Sequence, residues 1–211
     1  MLIVVKNTSK IDELKKELYK SFSMKDLGHA KKILGMRITR LRDKRKIYLS
    51  QKKYIERVLE RFNMKNAKPI SIPLAGHMKL SKKMCPTARE KKENMAKVPY
   101  SSVIGSLMKS ALGSCEVDTQ YLGGSSDECL CFGASNPILK GYKNSDMAGD
   151  LDNRKSTTGY LFTFSRGAIS WQSKLQKCVA LSTTKAEYIV ATEAGKEMIW
   201  LNRFLQELGL N

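Results

Sequence analysis

The sequence predicts an α+β protein, and two patterns predict it. Apolar residues recur at helical spacing near the start and the end of the chain, and between them short segments alternate apolar and polar residues like half-buried strands. A third observation divides the fold into units of different character. The chain has 211 residues and a formal net charge of +18, yet residues 1–97 hold 27 Lys+Arg against 9 Asp+Glu, while residues 98–211 hold 11 of each. An excess confined to one half points to a basic surface facing a polyanion, because a merely solubilising charge would be spread over both halves.

Hydrophobic residues make up 42% of the chain, enough for a real core, which excludes a wholly disordered protein. No run of 18 apolar residues is present, so no membrane span or membrane partner is expected. The opening Met1-Leu2-Ile3-Val4-Val5 is too short for a signal-peptide core and reads as a strand. A cytoplasmic or nuclear protein with reduced thiols follows, its five cysteines being odd in number and without paired spacing. Cys129-x-Cys131 with His29 or His77 lacks the second close pair that a zinc site of this kind needs.

Each element follows in order. Ile11, Leu14, Leu18 and Phe22 predict an amphipathic helix. Leu34, Met36 and Ile38, then Ile47-Tyr48-Leu49, predict a hairpin with a basic tip at Arg42-Asp43-Lys44-Arg45, and Arg37 and Arg40 add to its charge. A second helix from Ser50 or Gln51 to about Met64 packs Tyr54, Ile55, Val58, Leu59 and Phe62. On its outer side Lys53, Arg57 and Arg61 stand at i, i+4 and i+8, one row of cations about 12 Å long. Such a row can follow a phosphate backbone without sequence preference; equally, it can be a solvated face paired to Glu56 and Glu60.

Residues 66–99, with Pro69, Pro73, Pro86 and Pro99, read as an extended connection, and residues 108–137, broken by Gly113, Gly123 and Gly124, are expected to be poorly ordered. The expected units are therefore a basic one over 1–97, a degraded connection over 98–137 and a neutral one over 138–211. In the last, strands are expected at Leu139–Asp146, Tyr160–Phe164, Ala168–Ser173 and Cys178–Leu181, followed by a helix capped by Ser182 or Thr183 and running to about Leu208. The row Ala191, Ala194, Met198, Leu201 and Leu205 on that helix, extended back one turn, reaches Glu187. A carboxylate on a core-facing row is out of place, explained by a frayed first turn, by the helix N-terminus, or by metal ligation with Asp146.

The motifs Gly141-Tyr142-Lys143-Asn144-Ser145-Asp146, Asn153-Arg154-Lys155-Ser156-Thr157-Thr158-Gly159-Tyr160 and Ala180-Leu181-Ser182-Thr183-Thr184-Lys185-Ala186-Glu187-Tyr188 resemble the ribonuclease H segment of copia-type LTR retrotransposon Pol polyproteins. Phe22-Ser23-Met24-Lys25-Asp26-Leu27-Gly28 and Leu49-Ser50-Gln51-Lys52-Lys53-Tyr54-Ile55 resemble the reverse transcriptase segment of the same polyproteins, just past its polymerase carboxylates.

The resemblance implies a palm-end hairpin over about Leu34–Ser50 that grips a primer end, thumb-like helices, and an incomplete ribonuclease H-like sheet with one long helix. Its expected partner is an RNA/DNA hybrid or DNA duplex backbone, bound without sequence specificity; it sets no oligomeric state. Intact relatives use Mg²⁺, but no cofactor is expected here. Asn144 stands where the family has a metal-bridging Asp, Asp146 is a weak substitute, Glu187 is the retained carboxylate, and Lys185 replaces a usual Glu. The polymerase motif would precede Met1, further carboxylates would follow Asn211, and the family's longer, helix-rich connection is deleted or scrambled between Met108 and Leu130. An inactive remnant with a basic surface is the expectation; a host-retained binding or interaction module and an active Mg²⁺-dependent ribonuclease H are the alternatives.

Overall fold

The computed structural model describes residues 8–71, 115–133 and 137–210, with the single positions 81, 87, 89 and 93. Helix α1 (Thr8–Ser21) covers most of the predicted first helix and starts three residues earlier. Of its apolar row, Ile11 and Leu18 are half-buried, whereas Leu14 and Phe22 are exposed. Lys15 pairs with Asp26 at 2.9 Å, holding α1 to the turn in which the Asp26 carboxylate accepts a hydrogen bond from Gly28 N.

Strands β1 (Lys32–Ile33), β2 (Met36–Leu41) and β3 (Lys46–Ser50) form an antiparallel meander. Leu34 and Gly35 link β1 to β2 with both φ angles positive (47° and 82°), the pattern of a type I′ turn, which matches strand twist. The basic hairpin tip is present: Arg45 N bonds Arg42 O at 3.0 Å, with Arg45 left-handed. Helix α2 (Lys52–Arg61) buries Val58 and Leu59, half-buries Ile55 and Phe62, and ends at left-handed Asn63.

Over residues 115–133 the structure departs from the expectation of poor order. Helix α3 (Cys115–Gly124) packs along α2, and β4 (Cys129–Phe132) joins β3 as the fourth strand of the first sheet, Tyr48 opposite Cys131. Lys52 on α2 pairs with Asp127 in the intervening turn at 2.5 Å. The strand owes its existence to this pairing, since four residues without alternation carry no strand signal of their own. Of the expected connection over 66–99, residues 66–71 are described, and beyond them only positions 81, 87, 89 and 93.

The second sheet orders β5 (Lys140–Ser145), β6 (Thr157–Phe164) and β7 (Gly167–Leu175) antiparallel, as the alternation predicts. Ser165 and Arg166 form its two-residue hairpin turn at φ 50° and 68°. The predicted strand at Cys178–Leu181 is a loop instead. Gln176 explains why: its N bonds Ser156 O at 2.8 Å and its side-chain amide donates to Ala186 O at 3.0 Å, turning the chain away from the sheet and into the helix.

Helix α4 (Thr183–Glu207) starts where predicted, Ser182 Oγ accepting from Lys185 N at 3.1 Å, and stops at left-handed Gly209. It lies on the sheet over Phe162, with Ala194 and Leu201 completing the buried cluster beside Leu139, Tyr160 and Ile169. The two sheets meet where Gly133 N bonds Ser165 O at 3.1 Å and the Phe132 ring covers Gly167.

Candidate nucleic-acid interface and carboxylate site

The cation row on α2 forms as the spacing requires. Lys53, Arg57 and Arg61 are all exposed. Arg57 Nε reaches only its own helix, donating to Lys53 O at 3.3 Å, and the Arg61 guanidinium lies 5.9 Å from the centre of the Phe62 ring. Of the two carboxylates that could neutralise the row, Glu60 pairs with Lys65 at 2.7 Å, and Lys65 holds its carboxyl below the ordinary glutamate range, while Glu56 forms no ion pair with the row. Among the described residues none of the three cations forms an ion pair.

The hairpin cations are less unified. Strand side chains alternate faces, so Arg37 and Arg40, three positions apart on β2, point to opposite sides of the sheet. Arg37 shares its face with Lys32, Tyr48 and Cys131. Arg40 shares the other with Ile38, Leu49 and Phe132, and its guanidinium donates to Ala30 O at 2.6 Å. On Arg37's face the Tyr48 hydroxyl is hydrogen-bonded to Cys131, which raises the phenol's pKa.

In the second unit the three candidate residues are held apart. Asn144 pairs with Gly159 and shares a face with Tyr142 and Leu161, whereas α4 covers the face of Phe162 and Tyr160. Asp146 lies beyond the end of β5; its carboxylate accepts from Thr157 N and folds back onto Gly149, where a Cβ would overlap it.

Glu187 is exposed, which corrects its inward placement. The buried row is Ala186, Val190, Ala194 and Leu201: it shares Ala194 and Leu201 with the expected row but replaces Glu187 and Ala191 by their neighbours, and Met198 is 48% exposed and Ala191 is exposed. Among the described residues no three His, Cys, Asp or Glu side chains converge. A neutral amide on the far face, a carboxylate used by the backbone and a lone exposed Glu do not fit a pair of Mg²⁺ ions, which need converging anionic oxygens.

The acids that do face the sheet were missed by the sequence reading. Glu193 takes Lys174 of β7 at 3.0 Å, and Glu197 accepts from Ser170 Oγ at 2.6 Å, so a polar seam runs beside the apolar core. Lys174 holds Glu193 below the ordinary glutamate range, while burial and Glu197 push the Tyr160 phenol up. Helical spacing back from Leu201 would have found both.

The reverse transcriptase (RNA-dependent DNA polymerase) family matches residues 1–76. The Retrovirus-related Pol polyprotein from transposon TNT 1-94 of Nicotiana tabacum is 64% identical over 236 positions that take in the whole chain and 18% of the polyprotein. That alignment is longer than the chain's 211 residues, so the polyprotein has residues with no counterpart here. The corresponding polyprotein from transposon RE1 of Arabidopsis thaliana is 30% identical over 92% of the chain and 14% of its own length. The putative transposon Ty5-1 protein of Saccharomyces cerevisiae is 27% identical over 93% of the chain and 71% of its own length. No solved structure matches the chain. The chain spans less than a fifth of the two polyproteins, and it belongs with them as a fragment of a copia-type retrotransposon Pol polyprotein.

Proposed function

We propose that this chain is a catalytically inactive piece of reverse transcriptase and ribonuclease H sequence that retains a surface for the phosphate backbone of an RNA/DNA hybrid or DNA duplex. The observation that carries the reading is the row Lys53, Arg57 and Arg61: three exposed cations on one helix face, with Glu60 drawn off to Lys65. The hairpin tip Arg42, Lys44 and Arg45 is also exposed. In this reading residues 1–97 are the palm-and-thumb remnant, 98–137 a degraded connection and 138–211 a truncated ribonuclease H-like part.

Inactivity is supported by Asn144, which offers a neutral oxygen on the sheet face away from α4, and by Asp146, whose carboxylate is bonded to the Thr157 backbone. The test has two arms. A labelled RNA/DNA hybrid incubated with the full chain and Mg²⁺ is expected to stay intact; cleavage above buffer background overturns inactivity. Affinity for the same hybrid is expected to fall steeply with salt. Absent or salt-insensitive binding overturns the binding surface.

A further inference from the structure

The outer face of the second sheet carries a row of large side chains in exact lateral register. Tyr142 on β5, Leu161 on β6 and Trp171 on β7 are directly paired across the three strands, on the side that α4 leaves open. Tyr142 is 57% and Trp171 52% exposed, with the shorter Leu161 between them. Two strand spacings put the aromatic residues roughly 10 Å apart. The next row on the same face is Asn144, Gly159 and Ser173. Gly159 puts no side chain on the central strand there, leaving a depression flanked by an amide and a hydroxyl and bordered by the two aromatic residues.

The electrostatics favour an anionic occupant. The three strands contain no Asp or Glu, and of their lysines only Lys140 is on this face, Lys143 and Lys174 being on the side of α4, where Lys174 pairs with Glu193. Lys140 stands on the outer face, and exposed Arg166 lies in the turn at the same end of the sheet. We propose that this face is a stacking platform for single-stranded nucleic acid: bases lie on Tyr142 and Trp171, a base edge reaches Asn144 and Ser173 over Gly159, and the backbone runs towards Lys140 and Arg166. Aromatic residues suit this task because every base has a π-face, so such a platform is tolerant of sequence. A second copy of the chain pairing sheet to sheet would bury the same rings, and the concentration dependence of the signal tells the two apart. The platform is separate from the α2 cation row and does not rest on it.

Trp171 reports on its own site, since Trp200 is the only other tryptophan. In the full chain carrying Trp200→Phe, single-stranded oligodeoxythymidylate is expected to quench Trp171 fluorescence saturably. Tyr142→Ser is expected to weaken that binding about 10-fold, the size of one lost base stack. Gly159→Val, which fills the depression where a Cβ meets only Asn144 O at 3.5 Å, is expected to weaken it while circular dichroism stays unchanged. Quenching should persist after neutralisation of Lys53, Arg57 and Arg61, which separates this platform from the duplex surface. No quenching, equal affinity with and without Tyr142, or a Trp171 signal that follows protein concentration alone overturns the proposal.

Discussion

The ring of Phe132 lies over the backbone of Gly167, so close that a Cβ built at Gly167 would stand 2.3 Å from two of its carbons. One residue is the last of β4 and the other the first of β7, so this contact joins the two sheets. Gly167→Ala is expected to destabilise the protein by about 1–3 kcal/mol through overpacking. Urea melts of the single variant and of the double variant with Phe132→Ala check it, because removing the ring should make Gly167→Ala nearly neutral.

Leu34 holds φ 47° while 92% exposed, so it carries left-handed strain with little packing in return. Leu34→Asn, which makes an Asn-Gly turn with Gly35, is expected to raise stability by about 0.5–1 kcal/mol. A thermal melt without an upward shift would count against the turn.

Two buried polar side chains behave oppositely, although each has one oxygen without a partner among the described residues. Thr158 is 1% exposed and its hydroxyl has no partner among the described residues, so Thr158→Val should be neutral or stabilising by about 1 kcal/mol. Gln176, 3% exposed, ties the loop to Ala186, so Gln176→Ala should cost about 1–3 kcal/mol. Denaturant midpoints of the two variants would then move apart.

The Lys174–Glu193 pair predicts a pH dependence. Lys174 lowers the pKa of Glu193 from its ordinary 4.5, so the fold favours the carboxylate. That contribution is complete above pH 4.5 and disappears as pH falls through the lowered value. Both side chains are more than a third exposed, so its size is below about 1 kcal/mol. Lys174→Met should therefore be less stable than the parent at pH 7 and should lose that difference in acid, as paired melts at the two pH values would show.

Neutralising Lys53, Arg57 and Arg61 together is expected to flatten the plot of log affinity for a duplex against log salt. Each lost phosphate contact removes about 0.9 from the slope, roughly 2.7 for three. An unchanged slope would move the interface elsewhere on the chain.

The residues that revealed themselves in sequence did so through local chemistry. Alternation around Arg42–Arg45 and Ser165–Arg166 marked both hairpins, and Ser182 marked the start of α4. β4 was invisible because its strand state comes from β3, far away in the chain. The Cys178–Leu181 stretch was apolar enough for a strand, yet Gln176 redirects it and leaves Leu181 81% exposed. Glu187 was misplaced because α4 is apolar on nearly every side: Tyr188, Ile199 and Trp200 are all more than half exposed, so spacing alone could not choose its inner face. The cation row was legible because i, i+4 geometry needs only a helix; the separation of Asn144, Asp146 and Glu187 depends on sheet faces and a folded-back loop, which no spacing encodes.

The pairing of Tyr48 with Cys131, 83 positions further on, bears on the order of events in folding. Strands β2 and β3 can zip together across a four-residue tip at small entropic cost, whereas β4 must wait until a very long loop closes. Until it arrives, β3 presents an unpaired edge to every other chain in solution, so the first sheet is most open to mispairing with a neighbour while the chain is being made.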